Sequence, residues 1–377
     1  MSSISVRPVK TAGDRRTFRR LPERLYRDDP HWVCPLRMER RDFFDQAKNP
    51  FFADAEVELF LAEHDGRAVG RISAHIYPAH NRTHNEKTGF FGFFDCELEY
   101  DIAATLWDSA RAWLAQRGMK RMRGPANFTT NHEVGMLIDG FDRPPMVMMP
   151  YNLSKYPEFA ERYGFAKAMD LYAYLAQDST PLPERVVRIV ERIRARSGVV
   201  VRPIRMRQFD EEVRTIKAIY DAAWAPNWGF VPMTEEEFFH MAKDLKMIVD
   251  PRIVLVATVD GRPVGFSLAL PDINQVLIRL HGRLFPFGLL KLVWWTKIQR
   301  RIDQMRVLAM GILPEYHGRG IDQLLHFETR QRGVAAGYHT AELSWVLETN
   351  TLMKAVSESL GHSRYKKTYR IYDLPLP

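Results

Sequence analysis

The chain of 377 residues repeats itself at a fixed distance. Val6-Arg7-Pro8-Val9 returns as Val201-Arg202-Pro203-Ile204, and Asp65-Gly66-Arg67-Ala68-Val69-Gly70 returns as Asp260-Gly261-Arg262-Pro263-Val264-Gly265, each 195 residues later. Two matches at one offset point to two copies of one structural unit. The length agrees, because it exceeds what a single hydrophobic core usually serves. Each Asp-Gly-Arg joins two alternating apolar runs, 57–62 with 71–76 and 253–259 with 266–270, the pattern of a hairpin whose Asp-Gly supplies positive φ angles. Each copy also closes on a glycine suited to a helix end, Gly164 and Gly361. Read in order, one copy gives strand, one or two helices, hairpin, strand, helix, strand, helix, strand. The fold class is therefore α/β with mixed α+β layers, each domain a mixed twisted sheet flanked by helices. The spacing predicts domains over 1–178 and 199–377 and a connector helix over 179–198. Asp178-Ser179-Thr180 with Pro181 and Pro183 opens that helix, and its stripe Val186, Val187, Ile189, Val190 and Ile193 predicts docking on a domain.

Hydrophobic residues make up 46% and charged residues 27%, the balance of a folded soluble chain. Cys34 and Cys96 are too few for a disulfide framework and lack zinc-site spacing, so a reducing cytoplasm and no metal are expected. Residues 1–10 contain no apolar run of signal-peptide length, and Arg7 and Lys10 interrupt them. The net charge of +8 suits nucleic acid, an acidic membrane or an anionic cofactor alike. Arg15, Arg16, Arg19 and Arg20 read as a solvated helix face, and nucleic acid is not among the expected partners.

Residues 306–313 read as a buried strand, followed by Pro314-Glu315-Tyr316-His317-Gly318-Arg319-Gly320 and then an apolar-periodic helix from Ile321 to about Arg332. A strand, glycine loop and helix leave several backbone N–H groups unpaired and aim the positive end of the helix dipole at them, which suits a pyrophosphate. In this stretch the chain resembles the GNAT superfamily, whose signature is Arg or Gln, two residues, Gly, one residue, then Gly or Ala, after the fourth strand. Aligned on Gly320, the chain has His317 first and Asp322 last. The resemblance continues through Glu348-Thr349-Asn350 and Leu360-Gly361. It implies acyl-CoA as co-substrate and an amine acceptor. Its phosphates would be held around His317, Gly318, Arg319, Gly320 and Ile321, and its pantetheine and thioester oxygen by the backbone of Met310, Gly311 and Ile312, with Asn350 facing the CoA arm. Where many members carry a Tyr that protonates the leaving thiolate, this chain has Ser357; Tyr365 and Tyr369 are the substitutes to consider. In the first copy the corresponding junction, residues 93–100, has no glycine loop and three acids. That copy is expected not to bind CoA in the usual way, since an acidic loop repels pyrophosphate.

Offsets between helix-ending glycines place about 24 extra residues in the second copy, around 276–304, rich in Leu, Phe and Trp, including Trp294 and Trp295. Arg279, Arg283, Lys291, Lys297, Arg300 and Arg301 flank them. The stretch is too short and interrupted to span a bilayer. It reads either as a buried helix or as an interfacial lid beside the acyl pocket. The first copy has about 22 extra residues over 124–156, where Asn127, Thr129, Asn131, His132 and Glu133 form either a loop that holds a ligand or one that bonds its own backbone.

Amide formation from a thioester needs a base for the amine proton and donors for the developing oxyanion. Glu348, at a strand end, is the first candidate base, with Asp272 and His132 behind it. By the resemblance, Asn227, Trp228 and Phe230 lie where the family binds its acceptor, and Trp294 joins them from the insertion. The resemblance extends to tandem bacterial N-acyltransferases of the ceramide synthase type, which share the Gly-Arg-Gly-Ile-Asp loop. It implies transfer of a long acyl chain to a hydrophobic or sphingoid-like amine, in the cytoplasm or at the inner face of the membrane. N-acetyl transfer to a small-molecule or peptide amine and non-catalytic binding of acyl-CoA or lipid are the readings left open.

Overall fold

The computed structural model describes residues 4–196, 198–299 and 301–377. Ser197 and Arg300 lie outside the described residues, as do the side chains of Lys297, Ile298 and Tyr365. Two compact units result, one of Met1–Leu171, Leu277–Leu289 and Lys367–Pro377, the other of Tyr172–Val276 and Leu290–Lys366. The first unit therefore includes two segments from the second half of the sequence, one of them the start of the hydrophobic insertion.

In the first unit β1 (Ser5–Pro8), β2 (Glu56–His64), β3 (Arg67–Ile76), β4 (Thr88–Cys96) and β5 (Arg121–Gly124) lie side by side in that order. β4 and β5 are parallel and the earlier pairs antiparallel. The C-terminal strand completes the sheet, with Tyr372 opposite Gly124 and Pro375 opposite Arg121. The hairpin turn forms as the Asp-Gly pair requires, Asp65 at φ 52° and Gly66 at φ 71°. Helix α1 (Ala12–Leu25) opens on a capping box of Thr11 and Asp14. Helix α2 (Tyr100–Gln116) follows β4 and buries Leu106, Trp107, Ala110 and Leu114 in the core against Ile72, Ala74 and Phe94.

The second unit repeats this order. Helix α3 (Glu184–Arg196) precedes β6 (Val199–Pro203), then come α4 (Phe209–Trp224), α5 (Glu235–Lys246), β7 (Val254–Val259) and β8 (Arg262–Pro271). β9 (Gln304–Ile312), α6 (Ile321–Ala336), β10 (Thr340–Leu347) and α7 (Thr351–Ser359) follow. The sheet order is Tyr172–Gln177, β10, β9, β8, β7, β6. Its hairpin turn again has positive φ at Asp260 (50°) and Gly261 (79°). The connector helix docks by its apolar stripe: Val186 and Val190 are buried with Leu324, Leu325 and Val356, and Val187 and Ile193 pack beside them.

Four histidines are held neutral by the fold. Burial lowers His75, His80 and His326 to about 4 and His362 to about 3. In the unfolded chain they titrate near 6.5, so the unfolded state binds more protons between that pH and the folded values. Stability is then fully present above about pH 6.5 and lost as pH falls towards 4, by up to about 3 kcal/mol for each of the fully buried His75 and His326. Urea midpoints at pH 7 and pH 5 are expected to show this loss. His326→Leu is expected to shrink it, whereas an unchanged slope in that variant contradicts the assignment.

Candidate active site

The second unit has an opening in its sheet. β9 and β10 pair in parallel only from Gln304 opposite Thr340 to Val307 opposite Leu343. β9 nevertheless continues along β8 as far as Ile312 opposite Gly265, with a bulge where Leu268 meets Ala309 and Ala269 meets Val307. From Leu308 onward the edge of β9 facing β10 has left the ladder, and the two strands diverge. At the base of the divergence sits Arg306, 1% exposed. Its Nε donates to Ser344 Oγ at 2.9 Å and its Nη2 to the Ser344 carbonyl at 3.0 Å, while Ser344 Oγ donates to buried Glu342 at 2.9 Å. A lone arginine inside an apolar strand run is the sequence signal for such a residue, because a buried charge persists only with partners. Arg306→Met is expected to destabilise the unit by about 3 kcal/mol, since it leaves the buried hydroxyl and carbonyl oxygens of Ser344 without their charged donor. Chemical denaturation measures the loss, and a change near zero contradicts the role.

The predicted phosphate loop leaves the end of β9. Pro314–Tyr316 form one 3-10 turn, His317 is extended, and Gly318 (φ 73°) and Gly320 (φ 76°) are left-handed. The first bond inside α6 runs from Leu324 N–H to Gly320 O at 3.0 Å. The amides of Ile321, Asp322 and Gln323 therefore precede the helical ladder, at the positive end of a helix of 16 residues. That donor set fits a diphosphate. Gly320 has a second constraint: a Cβ there would stand 2.4 Å from Ile193 Cδ1 on α3, so the connector helix forms one wall of the loop. Arg194 of α3 pairs with Glu328 of α6 and lies 5.1 Å from the Phe327 ring, fixing that wall.

His317 is turned back, its Nε2 donating to the Ile312 carbonyl at 3.1 Å, so that nitrogen braces the loop. Arg319 lies over the Tyr316 ring at 4.8 Å and has no carboxylate partner among the described residues. Asp322 sits partly buried in the first helical turn, where its charge complements the dipole.

Met310, Gly311 and Ile312 lie on the diverging part of β9, as expected from their order along the strand. The indole Nε1 of Trp224, at the end of α4, donates to the Met310 carbonyl at 3.2 Å. This contact, between residues 86 apart in sequence, brings the following loop to the same strand. There Asn227 N–H bonds Trp224 O, and Phe230 N–H bonds Asn227 O. Phe230 is buried against Tyr220 at 5.3 Å and is core, while Asn227 and Trp228 are half-buried. Asn350 caps α7, its side chain accepting the Met353 N–H at 2.9 Å. Ser357 is fully buried and its hydroxyl has no partner among the described residues.

The three candidate bases are not brought together. Asp272 is buried after β8; its N–H bonds Gln304 O, and its carboxylate accepts from Asn274 N–H. It thus marks the start of the parallel pair, while Glu348 follows the end of β10. β10 has eight residues, so the two carboxylates are about 25 Å apart along the strands and cannot serve one reacting atom. His132 belongs to the first unit, hydrogen-bonded to Thr129 at 2.9 Å and set edge-on to Phe43. Trp294 is 49% exposed at the end of the short helix Gly288–Val293.

The first unit has the same diverging strands, β4 and β5 pairing only from Thr88 to Phe90, and a bulge in β4 at Phe93 (φ 46°). Here the chain fills its own opening. Asn127 Oδ1 accepts the Phe93 N–H at 2.7 Å, Asn127 Nδ2 donates to Glu133 at 2.7 Å, and a Cβ on Gly92 would stand 2.0 Å from the Ala126 carbonyl. Two of the three acids at the junction are paired: Asp95 with Arg71 and Tyr26, Glu97 with Arg24 and Arg67. Two of those charges are thus neutralised, and residues 126 and 127 lie against the backbone of β4 where the strands part. Among the described residues no group of His, Cys, Asp or Glu could hold a metal ion.

Two units with a bulged, diverging strand pair, one followed by a glycine loop and helix, define a tandem GNAT-type acyltransferase. Known proteins agree. The chain is 40% identical over its whole length to the bacterial ceramide synthase of Caulobacter vibrioides, covering 98% of that protein. It is 36% identical to Protein YghO of Escherichia coli, over 98% of this chain and 94% of that one. No family model matches. Among solved structures, a tandem GNAT protein from the clavulanic acid biosynthesis pathway superposes with a TM-score of 0.58 at 12% identity, over 99% and 98% of the two chains. A GCN5-related N-acetyltransferase from Sphaerobacter thermophilus superposes at 0.52 and 14% identity, over 99% and 95%. The chain belongs to the bacterial ceramide synthase family of tandem GNAT acyltransferases.

Proposed function

We propose that the protein transfers a long acyl chain from acyl-CoA to a hydrophobic, sphingoid-like amine, and that the second unit carries the reaction. The full-length identity of 40% to a bacterial ceramide synthase carries this reading. Bound acyl-CoA supplies the acyl group as an activated thioester. In this reading the amides of Ile321, Asp322 and Gln323 and the Arg319 guanidinium hold its phosphates, with Ile193 closing one side. The backbone from Leu308 to Ile312 orients the thioester, and Asn227 and Trp228 lie towards the acceptor. Glu348 takes the proton from the attacking amine, because it alone of the three candidates follows the diverging end of the strand pair in the second unit. The first unit, its opening filled by Asn127 and its neighbours, binds no CoA. Association with the inner face of a membrane belongs to the same reading.

The test is donor and acceptor choice. Purified protein is incubated with palmitoyl-CoA or acetyl-CoA, with and without sphinganine, and thiol release is followed. Release from palmitoyl-CoA that depends on the amine is expected. Release from acetyl-CoA alone replaces the reading with N-acetyl transfer, and tight acyl-CoA binding without turnover replaces it with a binding function.

A further inference from the structure

The hydrophobic insertion is anchored at its foot and bare at its tip. Gly282 (φ 73°) sits so close to Cys34 and Pro35 that a Cβ would stand 2.7 Å from Cys34 Sγ, and its carbonyl accepts the Arg37 N–H at 3.1 Å. The Leu289 N–H closes the turn onto Leu284 O at 2.7 Å. Beyond this foot the large apolar side chains of the first unit's segment face solvent: Phe285 is 72% exposed, Phe287 66% and Leu289 44%. Met38, 58% exposed, adjoins Phe285 across the groove lined by Leu36 and Leu284. Scattered exposed apolar residues need no explanation, but a contiguous run on a fixed projection marks a contact surface.

The charge around the run identifies the partner. From 273 to 302 the sequence holds six Lys and Arg and no Asp or Glu. Arg279, Arg283 and Lys291 are exposed and have no carboxylate partner among the described residues. Aromatic side chains bordered by cations are the pattern of the interface of a bilayer with anionic headgroups. A second copy of the chain fits poorly, because two such faces would set like charges opposite each other. No helix among the described residues is long and apolar enough to cross a membrane.

We propose that the projection centred on Phe285 and Phe287 docks the protein on an anionic phospholipid surface, the tip entering the interface and Arg279 and Arg283 meeting the headgroups. In making that surface the source of the amine acceptor, the inference rests on the proposed function. The docking itself is read without any substrate.

Full-length protein is floated with phosphatidylcholine vesicles, with and without phosphatidylglycerol, beside Phe285→Ser/Phe287→Ser and Arg279→Ser/Arg283→Ser. Wild type is expected to float with the anionic vesicles, and each double variant to lose about tenfold in apparent affinity. Added salt should weaken the wild type and the Phe variant. Wild type left at the bottom of the gradient, or a Phe variant that floats like wild type, overturns the proposal. So does a dimer that the Phe variant dissociates, which assigns the face to self-association. Flotation retained by a protein without palmitoyl transfer keeps the docking surface and removes only the proposed substrate. Normal thermal melting of the variants confirms that a loss is not unfolding.

Discussion

Gly320→Ala is expected to remove CoA binding and lower acyl transfer by at least about 100-fold, because it acts on the donors that a diphosphate needs. The methyl group meets two obstacles. The backbone at φ 76° is left-handed, which an L side chain rarely adopts, and the Cβ would stand 2.4 Å from Ile193 Cδ1. The loop must open or α3 must lift, and either movement displaces the amides of Ile321 and Asp322. The steric part separates from the backbone part in Gly320→Ala combined with Ile193→Ala, which is expected to recover about tenfold of the lost affinity. CoA titration of the single and double variants measures both quantities. A Gly320→Ala protein that binds CoA like wild type removes the loop from the site.

Glu348→Gln is expected to lower kcat by about 100-fold to 10,000-fold at neutral pH, the usual worth of a positioned base, while leaving CoA affinity unchanged. Gln keeps the size and hydrogen bonding of the side chain but accepts no proton, so a base and a merely structural carboxylate part company in the pH profile. For a base, the variant's residual rate should rise with pH as the free amine becomes more abundant. For a structural carboxylate, wild type and variant keep the same profile. Asp272→Asn should instead disturb the turn at Asn274 and stability, because its carboxylate accepts the Asn274 N–H at the far end of the strand pair.

The repeat, both hairpins, the connector helix and the glycine loop were legible because each rests on local chemistry. Asp-Gly turns select positive φ, a 3.6-residue stripe selects a docked helix, and glycines before a helix select an anion-binding start. What the sequence did not show is contact between distant segments. Alternation says which side of a strand is buried but not which strand lies next to it, so the grouping of Leu277–Leu289 and Lys367–Pro377 with the first unit was not readable. For the same reason Trp224 on Met310 and Asn127 on Phe93 were missed, although both decide what the diverging strands can hold. Arg306 was within reach, since an arginine between Met305 and Val307 in a core strand calls for a buried partner. The acids of the first unit were legible as residues but not as ion pairs; the pairing of Asp95 and Glu97 adds occupancy to charge in the contrast between the units.

That contrast is tested most directly by the stoichiometry of CoA binding. Isothermal titration of the full-length chain with CoA is predicted to give one site per chain, abolished in Gly320→Ala and unaffected in Asn127→Ala. Two sites in the wild type, or one site that survives Gly320→Ala, would contradict the assignment of the reaction to the second unit.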